Sequence, residues 1–190
     1  MLPRTFATLF SGAIIVAATL NALSADAMGK PTHSKLNASI ESYTRKLWAG
    51  HKIQNIKIDS IQTNGDVKFV MVSYLKDEKH VFSMEVGAIH GGKFMPDGGT
   101  TSLPHIPGQK VSPIDQMELG GSIGGKVYSM QGGYVNDNAV TVVTIAFNDG
   151  VVKTLPVPPD HLFAYGSLTA TGLRQLTGYD HLGHIVWTMK

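Results

Sequence analysis

Short apolar segments separated by turn residues fill most of this chain, and they restrict its fold more than any other feature. From Ile53 onward hydrophobic residues tend to alternate with polar ones, which is the period of a strand with one buried face. Asn64-Gly65 and Asn148-Asp149-Gly150 lie between such segments and favour tight hairpins. Short strands separated by turns at roughly 8–12 residues are typical of antiparallel β proteins. The sequence therefore predicts a mainly β domain, either an antiparallel sandwich or an open barrel.

One amphipathic helix is predicted before the first strand, over Lys35–Trp48. Apolar residues recur there with helical spacing, at Leu36, Ile40, Tyr43 and Leu47. Gly50 is placed to end the helix. A membrane-surface helix would need a polar face rich in Lys and Arg, and Ser, Asn, Thr and Glu dilute this one. The apolar stripe therefore indicates a face that packs on the core.

The predicted strands form two groups. Ile53–Ile89 is expected to be a three-stranded antiparallel meander. Residues 91–121 contain several prolines and paired glycines, and they are expected to form one long irregular loop. Lys126–Tyr128 is expected to be a short edge strand. The later strands are predicted at Val140–Phe147, Val151–Val157, Leu162–Tyr165, Leu173–Tyr179 and His184–Met189.

The first 27 residues have the order of a secretory signal. Arg4 precedes an apolar stretch from Phe6 to Leu23, and Ala25-Asp26-Ala27 is a small-x-small cleavage site. The alternative is that this segment is retained as an N-terminal membrane anchor, since its length approaches the roughly 20 residues that span a bilayer. Both interpretations place the rest of the chain outside the cytoplasm, secreted or associated with the cell envelope. Residues 28–34 are expected to be a flexible spacer and 35–190 a single domain.

Composition excludes several classes of protein. The chain has 190 residues and no cysteine, so it has neither a disulfide framework nor thiol chemistry. Its net charge is +2, and no run of Lys and Arg resembles the footprint of a nucleic-acid-binding protein. This charge allows a weak attraction to anionic wall polymers.

Several groups of residues in the last third of the chain form a recognisable series. They are Gly133-Tyr134, Asn138-Ala139-Val140, Phe147-Asn148-Asp149-Gly150, Phe163 and Gly178-Tyr179-Asp180-His181-Leu182-Gly183-His184-Ile185-Val186. This segment resembles the C-terminal part of small exported proteins of Gram-positive bacteria, in which a strand, a turn, an aromatic element and a closing hairpin recur. The resemblance implies a β fold and an extracytoplasmic location, and it implies no activity.

A copper site is one hypothesis for the region around the third strand. His80 and Met84 would share one strand face, and His90 follows six residues later. Imidazole and thioether ligands favour copper, and such a site needs no cysteine. The alternative is that Met84 fills the core, because Phe82 and Val86 on the same face are apolar.

A hydrolase is a second hypothesis. Gly120-Gly121-Ser122-Ile123-Gly124 matches the G-x-S-x-G nucleophile elbow, but no helix is predicted to follow it as that motif requires. Three loop carboxylates, Asp97, Asp115 and Glu118, are candidates for acid–base chemistry or calcium binding, although no D-x-D-x-D pattern is present.

Two further groups of residues are candidate binding sites. His181 and His184 flank Leu182-Gly183, which predicts an exposed hairpin tip more than a metal site. Six aromatic residues would suit stacking on sugars, although core and sheet packing is the favoured explanation of them: Trp48, Tyr128, Tyr134, Tyr165, Tyr179 and Trp187.

Taken together, these patterns predict a non-catalytic binding or interaction domain of the cell envelope or extracellular space, with no cofactor. An envelope protein or a glycan is the expected partner, nucleic acid is excluded, and contact with a membrane would require the uncleaved signal. The alternatives are a hydrolase acting on wall or extracellular polymer and an extracytoplasmic copper-binding protein.

Overall fold

The computed structural model describes residues 30–104, 112–169 and 171–189, and it confirms the mainly β, antiparallel fold. Within these residues one helix precedes three sheets that do not close into a barrel, so the architecture is a sandwich. The elements are α1 (Lys30–Leu47), β1 (Ile53–Asn64), β2 (Val67–Lys76), β3 (Lys79–His90), β4 (Lys93–Pro104), β5 (Ile114–Ile123), β6 (Lys126–Val135), β7 (Val142–Phe147), β8 (Val152–Pro156), β9 (Leu162–Ser167), β10 (Leu173–Tyr179) and β11 (Ile185–Met189).

The elements stack in four layers. The first sheet has the order β1-β2-β3-β4, the second β5-β6-β9 and the third β11-β10-β7-β8. One core lies between α1 and the first sheet, a second between the first and second sheets, and a third between the second and third sheets. β2 buries both of its faces, because Val70 and Val72 join the core under α1 while Phe69 and Met71 join the next one.

The position of α1 confirms the prediction of a helix before the first strand, and it corrects the prediction that residues 28–34 are a flexible spacer. α1 begins at Lys30, so the part of the expected spacer from residue 30 to residue 34 is helical. Pro31 does not prevent this, because proline is tolerated in the first turn of a helix.

The predicted signal segment, residues 1–27, lies outside the described residues. In the part of the chain that the structure covers, no helix has the length and apolar character needed to span a bilayer.

The prediction of one irregular loop over residues 91–121 is wrong. β4 and β5 occupy most of this region, with 105–111 outside the described residues. Both strands lie at the edges of their sheets, where a proline that cannot donate to the ladder is tolerated. Pro96 of β4 pairs with Gly87, next to an irregularity in the β3–β4 register.

The prediction of a short edge strand at Lys126–Tyr128 is also wrong. β6 is ten residues long and lies in the centre of the second sheet, between β5 and β9. Its two glycines, Gly132 and Gly133, fit there because neighbouring atoms leave no room for a side chain. They are close-packing positions and not signs of an interrupted strand.

The side chain of Gln62 bridges the first and second sheets. The Gln62 side chain on β1 donates from Nε2 to the Gly166 carbonyl at 2.7 Å, and its Oε1 accepts from the Gly166 amide at 2.9 Å. This double hydrogen bond satisfies both backbone groups of a residue on β9, so it fixes how the two sheets meet at this edge.

Replacing Gln62 tests this bridge. Gln62→Ala is expected to lower the free energy of unfolding by about 2 kcal/mol, since it leaves the two part-buried backbone groups of Gly166 without this partner. Chemical denaturation measures the change. Gln54→Ala on the same strand, at an exposed position, is the matched control and should stay within about 0.5 kcal/mol of the parent. Equal losses in both variants would contradict the bridging role.

Candidate functional site

An open groove of about 800 Å³ runs between α1 and the hairpin that joins β3 to β4. The helix contributes one polar stripe to it, with Lys35, Ser39, Ser42 and Lys46 at helical spacing. The apolar stripe of the same helix packs on the first sheet. The amphipathic pattern that seats α1 therefore also determines which of its residues line the groove.

The floor of the groove is fixed by contacts between the helix and β4. The amide of Phe94 donates to Ser39 Oγ at 2.9 Å, and this hydroxyl lies 3.4 Å from the Phe94 carbonyl, to which it donates. The rings of Tyr43 and Phe94 meet edge to face with centroids 6.0 Å apart. These contacts hold the helix against the edge strand, so the groove does not depend on a ligand for its shape.

The charge of the groove has one sign. Lys35, Lys46 and Lys93 line it, all three are exposed, and no acidic residue is among the lining residues. The whole chain carries a net charge of only +2, so three positive charges at one groove are a local concentration. Its walls also present an exposed apolar side chain, since Met95 is 52% exposed. The groove thus suits an anionic ligand with some apolar surface.

A buried carboxyl group lies beneath the helix. Glu85 on β3 is fully buried, and its Oε1 accepts a hydrogen bond of 3.0 Å from the hydroxyl of Thr44 on α1. Its Oε2 has no hydrogen-bond partner among the described residues. Burial raises the pKa of Glu85 to about 7, and the Thr44 hydrogen bond opposes part of that rise. The helix is thus seated on a group that titrates near neutral pH.

A short chain of hydrogen bonds runs beside Glu85. Trp48 Nε1 donates to the Tyr74 hydroxyl at 2.6 Å, and that hydroxyl lies 2.6 Å from Ser83 Oγ. Burial raises the pKa of Tyr74, so the phenol stays protonated and can donate to Ser83. This chain ties the end of α1 to β2 and β3.

The proposed copper ligands are not brought together within one molecule. His80 and His90 are exposed near opposite ends of β3, roughly 30 Å apart at about 3.3 Å per residue. Met84 lies between them, but it is fully buried in the core between the first and second sheets. Among the described residues there is also no group of three or more His, Asp or Glu side chains that could hold a metal ion.

The residues considered for hydrolysis are also dispersed. Ser122 pairs with Val127 in a hairpin that turns at Gly124 and Gly125, so the strand-to-helix turn of a nucleophile elbow is not formed there. Asp115 accepts a 2.8 Å hydrogen bond from Asn136 Nδ2, and Glu118 Oε1 accepts one of 3.3 Å from the Leu173 amide. Asp97 is exposed on β4. Asp115 and Glu118 are three positions apart on β5 and so point to opposite faces.

The aromatic residues belong to separate packing groups. Tyr128 and Tyr134 join the core between the first and second sheets, and Tyr165 and Trp187 join the core against the third sheet. Trp48 packs under the helix, with Lys76 Nζ 3.4 Å from its ring centroid. Tyr179 lies at the end of β10. The six residues therefore do not form one stacking strip.

The histidines near the C terminus lie at an exposed turn, as the sequence predicts. Asp180 organises this turn by accepting hydrogen bonds of 2.8 Å from the amides of Leu182 and His184. The His184 amide is the main cause of the lowered pKa of Asp180. His184 Nδ1 lies 3.1 Å from the same carboxylate, so the cluster is accounted for by the turn.

Sequence reasoning missed the lysines of the groove and the buried Glu85. Lys35 and Lys46 lie at helical spacing with Ser39 and Ser42, but Lys93 is distant in sequence and only the fold brings it to the same groove. Glu85 did leave a signal, because it is the one charged residue in the apolar stretch Val81–Val86. A charged residue at a position that strand alternation assigns to a buried face is a candidate for a perturbed pKa.

No protein-family model matches the chain, and comparisons with curated proteins and with solved structures find no match. Function is therefore inferred from the geometry of the chain's own residues.

Proposed function

We propose that this protein is an exported, non-catalytic binding domain that holds an anionic polymer of the cell envelope in the groove between α1 and the β3–β4 hairpin. The observation that carries the proposal is the set of three exposed lysines, Lys35, Lys46 and Lys93, on a groove with no acidic lining residue. The signal-like N terminus supports an extracytoplasmic setting.

The shape of the groove favours binding over chemistry. It is open, and its lining offers ammonium and hydroxyl donors but no carboxylate or histidine that could act as a base. An ammonium group contacts a phosphate or carboxylate as a point charge, without strict geometry. Three such contacts along a rigid groove suit a repeating anionic chain more than one small substrate.

The test is a binding titration with poly(glycerol phosphate) on the parent protein and on the double variant Lys46→Gln, Lys93→Gln. We expect the variant to bind several-fold more weakly, since each exposed ion pair contributes roughly 0.2–1 kcal/mol. Calorimetry at low and high salt checks the same point, because added salt should weaken the parent's binding more than the variant's.

The control is the double variant Lys79→Gln, Lys126→Gln, which removes the same charge elsewhere on the surface. Lys126 is closely matched to Lys93, since each begins a strand after a Gly-Gly turn. This control should retain the affinity of the parent to within about twofold. Equal weakening in both double variants would show that net charge alone is responsible, and equally tight binding of a neutral polysaccharide would also contradict the proposal.

A further inference from the structure

A second cavity, of about 260 Å³, opens where the three sheets meet, away from the helix groove. A β-bulge in β1 builds it. The β1–β2 register passes from Ile58 opposite Val72 to Ser60 opposite Met71, which leaves Asp59 as the extra residue. A bulge re-aims a side chain, and here Asp59 becomes part of the cavity lining.

The Asp59 carboxylate is buried and only partly compensated. Its side chain is 3% exposed, and Lys57 Nζ lies 2.7 Å from Oδ1. Neither Oδ1 nor Oδ2 has a hydrogen-bond partner of good geometry among the described residues, so Lys57 compensates this carboxylate by its charge. An ionised carboxylate that is removed from water without hydrogen-bond donors carries a desolvation cost. A ligand that donates a hydrogen bond to this carboxylate would reduce that cost.

The charges around the cavity leave one negative charge uncancelled. Lys57 Nζ also donates to Asp160 Oδ2 at 3.1 Å, so one ammonium group serves two carboxylates. The contact with Asp59 is the main cause of the raised pKa of Lys57, followed by that with Asp160. Lys57 therefore remains protonated, and the three groups together have a net charge of −1.

The remaining walls of the cavity are mainly apolar. The apolar lining residues are Met71, Leu155, Pro156, Pro158, Leu162, Phe163 and Ala164. Ser60 also lines the cavity, next to Asp59. The volume is smaller than the roughly 300–1,000 Å³ that is typical of sites for drug-sized ligands. A ligand of a few non-hydrogen atoms therefore fits, with a short apolar stem against the walls and a polar end at the carboxylates.

We infer that this cavity binds a primary ammonium group on a short aliphatic stem, with Asp59 as its principal acceptor and Asp160 as the second. The net charge selects a cation, and the apolar walls select an alkyl stem. The Lys57 ammonium group already contacts both carboxylates. An incoming ammonium group would share these contacts with Lys57 or replace it. This site is separate from the helix groove and does not rest on the function proposed for it.

A metal ion is a poorer fit to the same groups. Calcium takes six to eight oxygen ligands, while the described lining offers two carboxylates that already contact an ammonium group. A neutral sugar would supply hydroxyl donors but would leave the net negative charge in place. Both are therefore included in the experiment as competitors of the inferred ligand.

The experiment follows the backbone amide signals of the ¹⁵N-labelled protein by NMR during titration with n-butylammonium. We expect saturable shifts at Asp59, Ser60 and Leu162–Ala164. 1-Butanol, glucose and calcium chloride are titrated in parallel, and saturable shifts of the same amides by any of them with equal or higher affinity would overturn the inference. Nα-acetyl-lysine amide distinguishes the source of the group: tighter binding than n-butylammonium assigns the site to a lysine side chain, and equal or weaker binding assigns it to a free amine.

Two variants provide opposite expected results. Asp59→Asn removes the principal charge and should weaken n-butylammonium binding at least tenfold, while Asp66→Asn, an exposed residue of the β1–β2 turn, should leave it unchanged. Lys57→Met removes the competing ammonium group and should tighten binding several-fold. If Asp59→Asn does not fold, Lys57→Met still decides the question, because unchanged or weaker binding by that variant would overturn the site.

Discussion

Raising the pH from 4 to 8 is expected to lower the free energy of unfolding by about 3 kcal/mol through Glu85 alone. The folded-state pKa of Glu85 is raised from 4.5 to about 7 by burial. Between these two values the folded state binds more protons than the unfolded state, so stability falls as the pH rises. The contribution of Glu85 is fully present below its unfolded pKa of 4.5 and is lost as the pH passes through about 7.

The structural cause is the Glu85 oxygen that the helix leaves without a partner. Thr44 supplies one hydrogen bond to Oε1, and Oε2 is buried with none among the described residues. Protonation removes the charge, whereas ionisation leaves a carboxylate beneath α1 with half of its hydrogen-bonding capacity unmet. Ionisation of Glu85 therefore destabilises the packing of α1, the helix that carries Lys35 and Lys46, on the first sheet.

Glu85→Gln tests this explanation because the side chain keeps its shape and its acceptor for Thr44 but cannot ionise. The variant should lose most of the decline in stability between pH 4 and 8, and at pH 8 it should be at least as stable as the parent. Denaturant titrations at several pH values measure both effects. Glu78→Gln, at the exposed turn before β3, should keep the parent's pH profile. A Glu85→Gln profile that follows the parent would contradict the assignment.

Local pattern was sufficient to predict most of the strands. The hairpin at Asn64-Gly65 and the meander of β1, β2 and β3 follow from turn chemistry and alternation, and the structure places them as expected. The errors at β4 and β6 share one cause, because Pro96, Gly132 and Gly133 are residues that usually interrupt a strand. Pro96 is tolerated because β4 is an edge strand, and Gly132 and Gly133 are required because atoms of neighbouring strands leave no room for a side chain.

The candidate sites were harder to predict because distant segments build them. The sequence does contain a signal of the bulge at Asp59, since the apolar alternation of β1 changes spacing between Ile58 and Ile61. The pattern alone does not state that Asp59 is buried or that Asp160, a hundred residues later, approaches Lys57. The groove has the same origin, since Lys93 reaches it only when β4 docks beside α1.

Gly133→Ala is expected to lower the free energy of unfolding by about 3 kcal/mol or more, which is a large fraction of the roughly 5–15 kcal/mol typical of a domain. A Cβ atom at this position would overlap the Asp115 carbonyl oxygen and would lie 3.1 Å from the Phe163 ring. Both neighbours belong to strands that pair with β6, so the methyl group can be accommodated only by moving β5 or β9 away from the central strand.

Gly120→Ala is the matched control, because Gly120 lies in the same sheet on β5 and the nearest atom to its added Cβ is the Tyr128 carbonyl oxygen at 3.7 Å. Neither glycine has a positive φ, so the comparison isolates close packing from backbone strain. We expect Gly120→Ala to stay within about 0.5 kcal/mol of the parent, since alanine also reduces the conformational freedom of the unfolded chain. Thermal denaturation should separate the two variants by roughly 6–12 °C. Similar melting temperatures would contradict this explanation, because they would mean that β5 or β9 can move away from β6 at little cost in stability. β6 would then be a loosely packed strand of the second sheet.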